Sequence, residues 1–268
     1  MPLPIDMILV RHGESEGNVV HGKDYRGEDR SDVPREHGER HTSDYRLTDK
    51  GIMQAKAAGE WIRKNIPGQF DKYVVSSYAR ARETAGYLDL PGAGWEIDPY
   101  LAERNSGDLM RISRAEIAVK HEENAAIRAL NAFYWNPPNG ESRLVAALRW
   151  DRVINSLAQR YSDGRVVIVA HGTIIETAMM RRLHWTVEDF LAWKEDNDPR
   201  HEVHNCQVLH FTRKDPKTGQ INPSVRWWRT VCPWDLSKGE GEWQAIEKNL
   251  LSSKELLQQV EKFPRYIA

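Results

Sequence analysis

The chain predicts an α/β fold built on a mostly parallel sheet, and three observations carry that reading. Met7-Ile8-Leu9-Val10 is a short apolar run that ends abruptly in Arg11-His12-Gly13 and then turns polar. The same design recurs far downstream, where Val166-Val167-Ile168-Val169-Ala170 runs into His171-Gly172. Short runs rich in Ile and Val have the length and character of strands buried on both faces. Between them, Tyr73-Val74-Val75-Ser76 is followed directly by a helical stretch from Tyr78 to Leu88, the strand-helix order of a parallel sheet. Open α/β sheets hold ligands at the carboxyl ends of their strands, so both histidines are expected at one working edge.

Taken in order, residues 5–12 form the first strand. Residues 19–46 are polar, with mixed charges and no apolar period, and read as a solvated loop that leaves the sheet just after His12. A loop in that place can also act as a lid. Thr48 caps a helix whose inner face carries Ile52, Ala55, Gly59 and Ile62. Residues 91–110 read as loop and residues 112–133 as helix. Asn136-Pro137-Pro138-Asn139-Gly140 is a turn, after which Ser142 caps a long helix with a core face of Leu144, Leu148, Ile154, Leu157 and Tyr161. A helix from Thr173 to about Leu183 follows the second His strand. Residues 208–211 and 225–228 read as strands joined by the turn at 215–219, and residues 241–262 as a final amphipathic helix.

Length and composition bound the function. The 268 residues suit a single α/β domain spanning 1–268, with the polar insertion at about 19–46 and a Trp-rich extension from about 222. A net charge of −1 gives no field that would favour nucleic acid or an anionic membrane surface. No apolar run approaches the ~20 residues that span a bilayer. The first residues lack the basic and apolar regions of a signal peptide, and Cys206 and Cys232 suit a reducing compartment, so a cytoplasmic location is expected. A disulfide between the two is an open alternative.

The chemistry follows from the residue types. Arg11 and Arg80 can each grip two oxygens of a phosphoryl group, and Arg80 opens a helix, whose N-terminus already favours anions. Gly13 and Gly172 let backbone approach the anion. Asn18 supplies an amide. Arg82 and Arg104 read first as surface cations, with Arg104 kept as a further phosphate contact. His12 is the nucleophile. It must present one bare ring nitrogen while a backbone carbonyl fixes the other. Glu103 is the general acid for the leaving oxygen and then the base for water, with Glu14 and Glu141 as rival carboxylates. His201-Glu202-Val203-His204 lacks the spacing that sets two imidazoles on one helical face, so no metal site is read there. No cofactor is needed, because arginine and histidine supply the positive charge.

These residues resemble the histidine phosphatase superfamily, in the branch with cofactor-dependent phosphoglycerate mutase and fructose-bisphosphatase-like enzymes. Arg11-His12-Gly13-Glu14-Ser15 with Asn18 is similar to its signature, and brings in Ser15 as a phosphate contact. Leu47-Thr48 with Gly51, Arg80-Ala81 with Thr84-Ala85, Glu103-Arg104 with Gly107, Gly140-Glu141-Ser142 and Ala170-His171-Gly172 follow in family order. The resemblance implies a phosphoglycerate mutase-like three-layer α/β/α sandwich and a phosphohistidine on His12, with Arg11, Asn18, Arg80 and His171 around the phosphoryl group.

Two departures matter. The signature continues Glu16-Gly17-Asn18 where mutases usually carry Trp before Asn. Only 38 positions separate Glu103 from Glu141, where mutases carry a long insertion that closes the site. Without that insertion water should reach the phosphohistidine. The expected protein is therefore a metal-independent phosphatase acting on a small phosphorylated substrate. A mutase-type phosphoryl transferase and a non-catalytic phospho-ligand binder are the alternatives, and a homodimer is left open.

Overall fold

The computed structural model describes residues 1–29, 31–110, 117, 122–196, 198–248 and 250–267. Seven strands form one sheet: β1 (Asp6–Arg11), β2 (Lys72–Ser76), β3 (Trp95–Asp98), β4 (Arg165–Ala170), β5 (Val208–Thr212), β6 (Trp227–Val231) and β7 (Gln244–Ala245), in the spatial order β3-β2-β4-β1-β5-β6-β7. β3, β2, β4 and β1 run parallel, and β5, β6 and β7 add on antiparallel. The sheet is thus mixed, with the parallel block where the βα repeats demand it.

The helices are α1 (Glu16–Arg26), α2 (Arg35–Glu39), α3 (Asp49–Asn65), α4 (Ala79–Tyr87), α5 (Glu122–Leu130), α6 (Arg143–Tyr161), α7 (Gly172–Arg182), α8 (Val187–Glu195) and α9 (Ser253–Val260). Met7 and Leu9 pack with Trp150, Ile154, Ile174 and Ala178 of α6 and α7 on one face. Ile8 and Val10 pack with Ala55, Ala58, Ile62 and Ala85 of α3 and α4 on the other. This two-sided burial requires the Met7–Val10 run of β1 to be apolar on both faces and gives the three layers. Each such Ile, Leu or Met side chain contributes about 1.5–3 kcal/mol on burial.

The register sets the working edge. Arg11 pairs with Ala170, and the His12 amide donates to the Ala170 carbonyl at 3.0 Å. His12 and His171 therefore leave adjacent strands at one level. The turn after β1 is pressed against the start of α3. A Cβ on Gly51 would lie 2.0 Å from the Glu14 carbonyl oxygen, and one on Gly13 2.5 Å from that of Gly51. Both contacts require glycine. Thr48 and Ser142 cap α3 and α6 as expected.

Several expectations change. Residues 19–26, the start of the region read as loop, belong to α1. Its polar sequence hid a helix set by local signals: a Ser15–Asn18 capping box, Glu16 in the first turn, Lys23 and Arg26 in the last, and Gly27 at φ 67° as the C-cap. β3 lies inside the expected loop 91–110; as an edge strand it exposes Ile97 and lacks a buried pattern. On α6, Leu144 and Leu148 are exposed, because the buried stripe runs through Ala146, Trp150, Val153, Ile154 and Leu157. Residues 241–262 are not one helix. Ile246 is buried on the sheet after β7, and the helix is confined to α9. Of the helix expected over 112–133, α5 ends at Leu130, and residues 112–116 and 118–121 lie outside the described residues. The Trp-rich extension contributes β6 and β7 to the sheet. Cys206 and Cys232 are free and buried.

Candidate active site

The two strand ends deliver what their sequences promised. The rings of His12 and His171 lie 5.1 Å apart, centroid to centroid, and both are buried. His12 Nδ1 lies 2.7 Å from the Gly13 carbonyl, which can only accept, so Nδ1 carries the proton and Nε2 presents its lone pair. That lone pair accepts from Arg80 Nε at 3.0 Å. Arg80 Nη1 donates to the Thr42 carbonyl at 2.7 Å. Burial first, then the neighbouring guanidinium groups of Arg80 and Arg11, hold the His12 pKa well below its ordinary value of 6.5. The ring is a neutral, oriented base.

His171 Nε2 pairs with Ser76 Oγ at 2.7 Å, while its Nδ1 is buried with no partner. Burial, with Arg80 and then His12, depresses its pKa in the same direction. Tyr78 lies edge-on to His171 at 5.0 Å, with the Arg80 guanidinium 5.0 Å from the same ring. Arg11 Nη1 donates to the Val203 carbonyl, and its buried Nε has no partner. Two buried polar nitrogens, Arg11 Nε and His171 Nδ1, thus lack partners at one strand edge. Such groups cost about 1–3 kcal/mol each unless a ligand satisfies them.

Glu103 reaches the same edge. Its Oε1 accepts from the Arg104 amide at 2.7 Å and its Oε2 from the Thr173 amide at 3.4 Å, at the N-terminus of α7. A Cβ on Gly172 would stand 3.6 Å from Arg11 Nε and 3.8 Å from Glu103 Oε2, so the two side chains converge over this glycine. The rival carboxylates are engaged elsewhere: Glu141 with Arg149 and the Asn105 amide, Glu14 with Lys50 and Thr48. Arg11, Glu103, Gly172 and Thr173 line a cavity of about 580 Å³.

The other predicted residues divide. Asn18 Oδ1 accepts from Ser15 and Asn205, which leaves its amide nitrogen as the end that can meet a ligand. Ser15 is the cap of α1, so its hydroxyl serves Asn18. Arg104 donates to the Glu141 carbonyl at 2.9 Å and braces that turn. His201 pairs with Asp196, and His204 with the Pro199 carbonyl.

Sequence reasoning missed Ser76, Tyr78 and the carbonyls of Thr42 and Val203. Ser76 ends β2, the neighbour of β4, so strand order alone would have placed it beside His171. Carbonyl contacts leave no trace in residue identity. Asn205 also emerges as a brace: it donates to the His12 carbonyl at 2.9 Å, and Trp234 donates to the Asn205 carbonyl at 2.7 Å. The Trp-rich extension thereby supports the loop that carries His12.

The buried neutral imidazoles make a prediction. Between their depressed folded pKa values and about 6.5, the unfolded chain binds protons at His12 and His171 that the folded chain refuses. Stability should therefore be fully present above about pH 6.5 and fall on acidification below it. Thermal melts at pH 7.5 and 5.5 should show the drop, and vanadate should offset more of it at pH 5.5, because a bound anion favours protonated imidazole. A melting temperature that rises on acidification contradicts this.

Comparison with known proteins agrees with the geometry. The family profile described as histidine phosphatase superfamily (branch 1) matches residues 7–218. A 2,3-bisphosphoglycerate-dependent phosphoglycerate mutase of Cytophaga hutchinsonii is 32% identical over 195 residues, covering 70% of this chain and 81% of its own. Among solved structures, the alpha-ribazole phosphatase from Shigella flexneri superposes with a TM-score of 0.60 at 21% identity, covering 82% of this chain and 96% of that one. A mycobacterial glucosyl-3-phosphoglycerate phosphatase gives 0.59 at 22% identity, covering 91% and 98%. With its profile, its sheet and its paired imidazoles in agreement, this chain belongs to the histidine phosphatase superfamily, branch 1.

Proposed function

We propose that the protein is a metal-independent phosphatase that hydrolyses small phosphomonoesters through a phosphohistidine on His12. The observation that carries this reading is the state of the His12 ring: Nδ1 donates to Gly13, and Nε2 bears a lone pair 5.1 Å, ring to ring, from His171. An incoming phosphoryl group replaces the Arg80 bond to Nε2, and the Arg80 guanidinium turns onto phosphoryl oxygens. Arg11 Nε and the Asn18 amide donate to the same group, and so does His171 once its Nδ1 carries a proton. Nε2 attacks phosphorus, the P–O ester bond breaks, and the leaving oxygen takes a proton from the Glu103 carboxyl. The ring is then cationic, and the Gly13 carbonyl stabilises its remaining N–H. Glu103, now a carboxylate, takes a proton from water; the water oxygen attacks phosphorus and the P–N bond breaks. Inorganic phosphate and neutral His12 result.

The relatives named as mutases favour a second reading, in which a second substrate hydroxyl replaces water. The span of 38 positions between Glu103 and Glu141 supports hydrolysis, since it omits the insertion that closes mutase sites. The deciding measurement is the fate of the phosphoryl group. Phosphate release from p-nitrophenyl phosphate should continue with EDTA present. Labelled 3-phosphoglycerate should lose its label to water rather than pass it to the 2-position. Isomerisation faster than phosphate release would favour the mutase.

A further inference from the structure

A second cavity, of about 440 Å³, shares the wall His201–Val203 with the one beside Glu103. Its apolar lining is aromatic: Trp185 between α7 and α8, Trp193 on α8 and Trp228 on β6, all half-buried. Trp185 and Trp193 stand 5.5 Å apart with their ring planes splayed by 39°, so neither ring fully covers the other. Trp228 stacks one face on Phe211 in the core, and the rest of its indole meets the cavity. Trp193 already has an ammonium beside it, with Lys194 Nζ 5.6 Å from its ring. Indole faces are the best aromatic partners for cations.

The polar lining has no uncommitted cation for an anion. Arg200 forks onto both carboxylate oxygens of Asp198, and His201 Nδ1 pairs with Asp196 at 2.9 Å. The Gln207 amide donates to Thr230 at 2.6 Å. Carboxylates are left over. Glu202 comes only within 3.9 Å of His204 Nδ1. Glu240 and Glu242, on the link from β6 to β7, have no side-chain hydrogen bond or ion pair among the described residues. The charge that Glu240 does feel is that of Arg200, already committed to Asp198. All three glutamates are exposed, so they attract a cation to the rim while the indoles hold it. Aromatic walls, spare carboxylates and no free cation are complementary to an organic cation, and the volume suits a small molecule.

We propose that this cavity binds a small organic cation, its ammonium or quaternary ammonium group set among Trp185, Trp193 and Trp228 with Glu240 and Glu242 at the rim. The inference stands apart from the phosphatase reading: binding here requires no turnover, and none of these side chains takes part in the proposed reaction.

Calorimetric titration of the full-length protein with choline, ethanolamine and 3,3-dimethylbutan-1-ol tests it, with ionic strength matched by sodium chloride. The alcohol has the shape of choline without its charge. Choline or ethanolamine should bind about tenfold more tightly than the alcohol. Choline ahead identifies a quaternary ammonium ligand, and ethanolamine ahead a primary one. Glu240→Gln combined with Glu242→Gln should weaken cation binding about threefold and leave the alcohol unchanged. Trp193→Leu should weaken it about tenfold. Melting temperatures report whether each variant folds, and the Gln pair, at exposed positions, decides the matter even if Trp193→Leu does not. No saturable binding of either cation, an alcohol that binds as tightly as the cations, or cation binding that the Gln pair leaves unmoved overturns the proposal.

Discussion

His12→Ala should lower kcat on the order of 10⁴–10⁶-fold, the scale seen when an enzymatic nucleophile is removed. The loss should fall on kcat and hardly on KM. On the proposed mechanism Arg11, Arg80 and Asn18 remain to bind the phosphoryl group, and His12 lies just beyond β1, whose pairing and core packing the substitution leaves in place. Alanine also frees the Arg80 Nε that now rests on His12 Nε2, so the anion affinity of the variant should hold or improve. Steady-state kinetics of wild type and variant, with vanadate binding as the check on the pocket, give the comparison. A non-catalytic binder would show no turnover in either protein, and a loss confined to KM would make His12 a binding group only.

Glu103→Gln should separate leaving groups. For an alkyl phosphate, whose alkoxide cannot depart without a proton, the loss should be ~10²–10⁴-fold. p-Nitrophenolate needs no proton to leave, so phosphorylation of His12 by p-nitrophenyl phosphate should survive. The variant cannot then activate water, and the phosphoenzyme should accumulate. Rapid mixing should show a burst of p-nitrophenol near one per active site followed by slow turnover, with no burst from the alkyl ester. Glu103 stands over Gly172, with Oε2 3.8 Å from that residue's would-be Cβ, which Arg11 Nε also approaches to 3.6 Å. Equal losses on both esters, with no burst, would transfer the proton role to another group.

How much of this was legible in the residues depended on where each signal lives. The His strands could be read because β1 and β4 are buried on both faces, and only apolar runs satisfy that environment. Thr48 and Ser142 could be read because a cap is a local bond between a side chain and an amide three residues on. Arg80 could be read because a strand followed directly by a helix fixes where its first turn lies. α1 escapes the pattern because its described burial has no apolar stripe and it is organised by caps, with Glu16 held by Arg40 at 2.9 Å and by the Arg46 amide. β3 failed because an edge strand is held mainly by backbone pairing, here with β2 and the Lys72–Glu96 ion pair. The helix expected over 241–262 shortens to α9 because its first residues are tied to the sheet, Trp243 packing on His210 at 4.9 Å and Ile246 on the core.

The site followed the same division. His12, His171, Arg11, Arg80 and Glu103 carry groups whose chemistry marks them as candidates, and the fold brings them toward one edge. Ser15 and Arg104 carry suitable groups, but their bonds go elsewhere: Ser15 to Asn18 in a local cap, and Arg104 to the Glu141 carbonyl, which only three-dimensional context reveals. The Thr42 carbonyl that tethers Arg80, and the Val203 carbonyl that tethers Arg11, are independent of residue type.

The central claim is that one imidazole of the pair takes the phosphoryl group covalently. Wild-type enzyme mixed with p-nitrophenyl phosphate, quenched in base within milliseconds, digested and sequenced by mass spectrometry tests it directly. The account predicts a phosphoryl group on the His12 ring, none on His171, and none anywhere in His12→Ala. Phosphorylation of a different residue, or sustained turnover with His12 unmodified at every quench time, would contradict it.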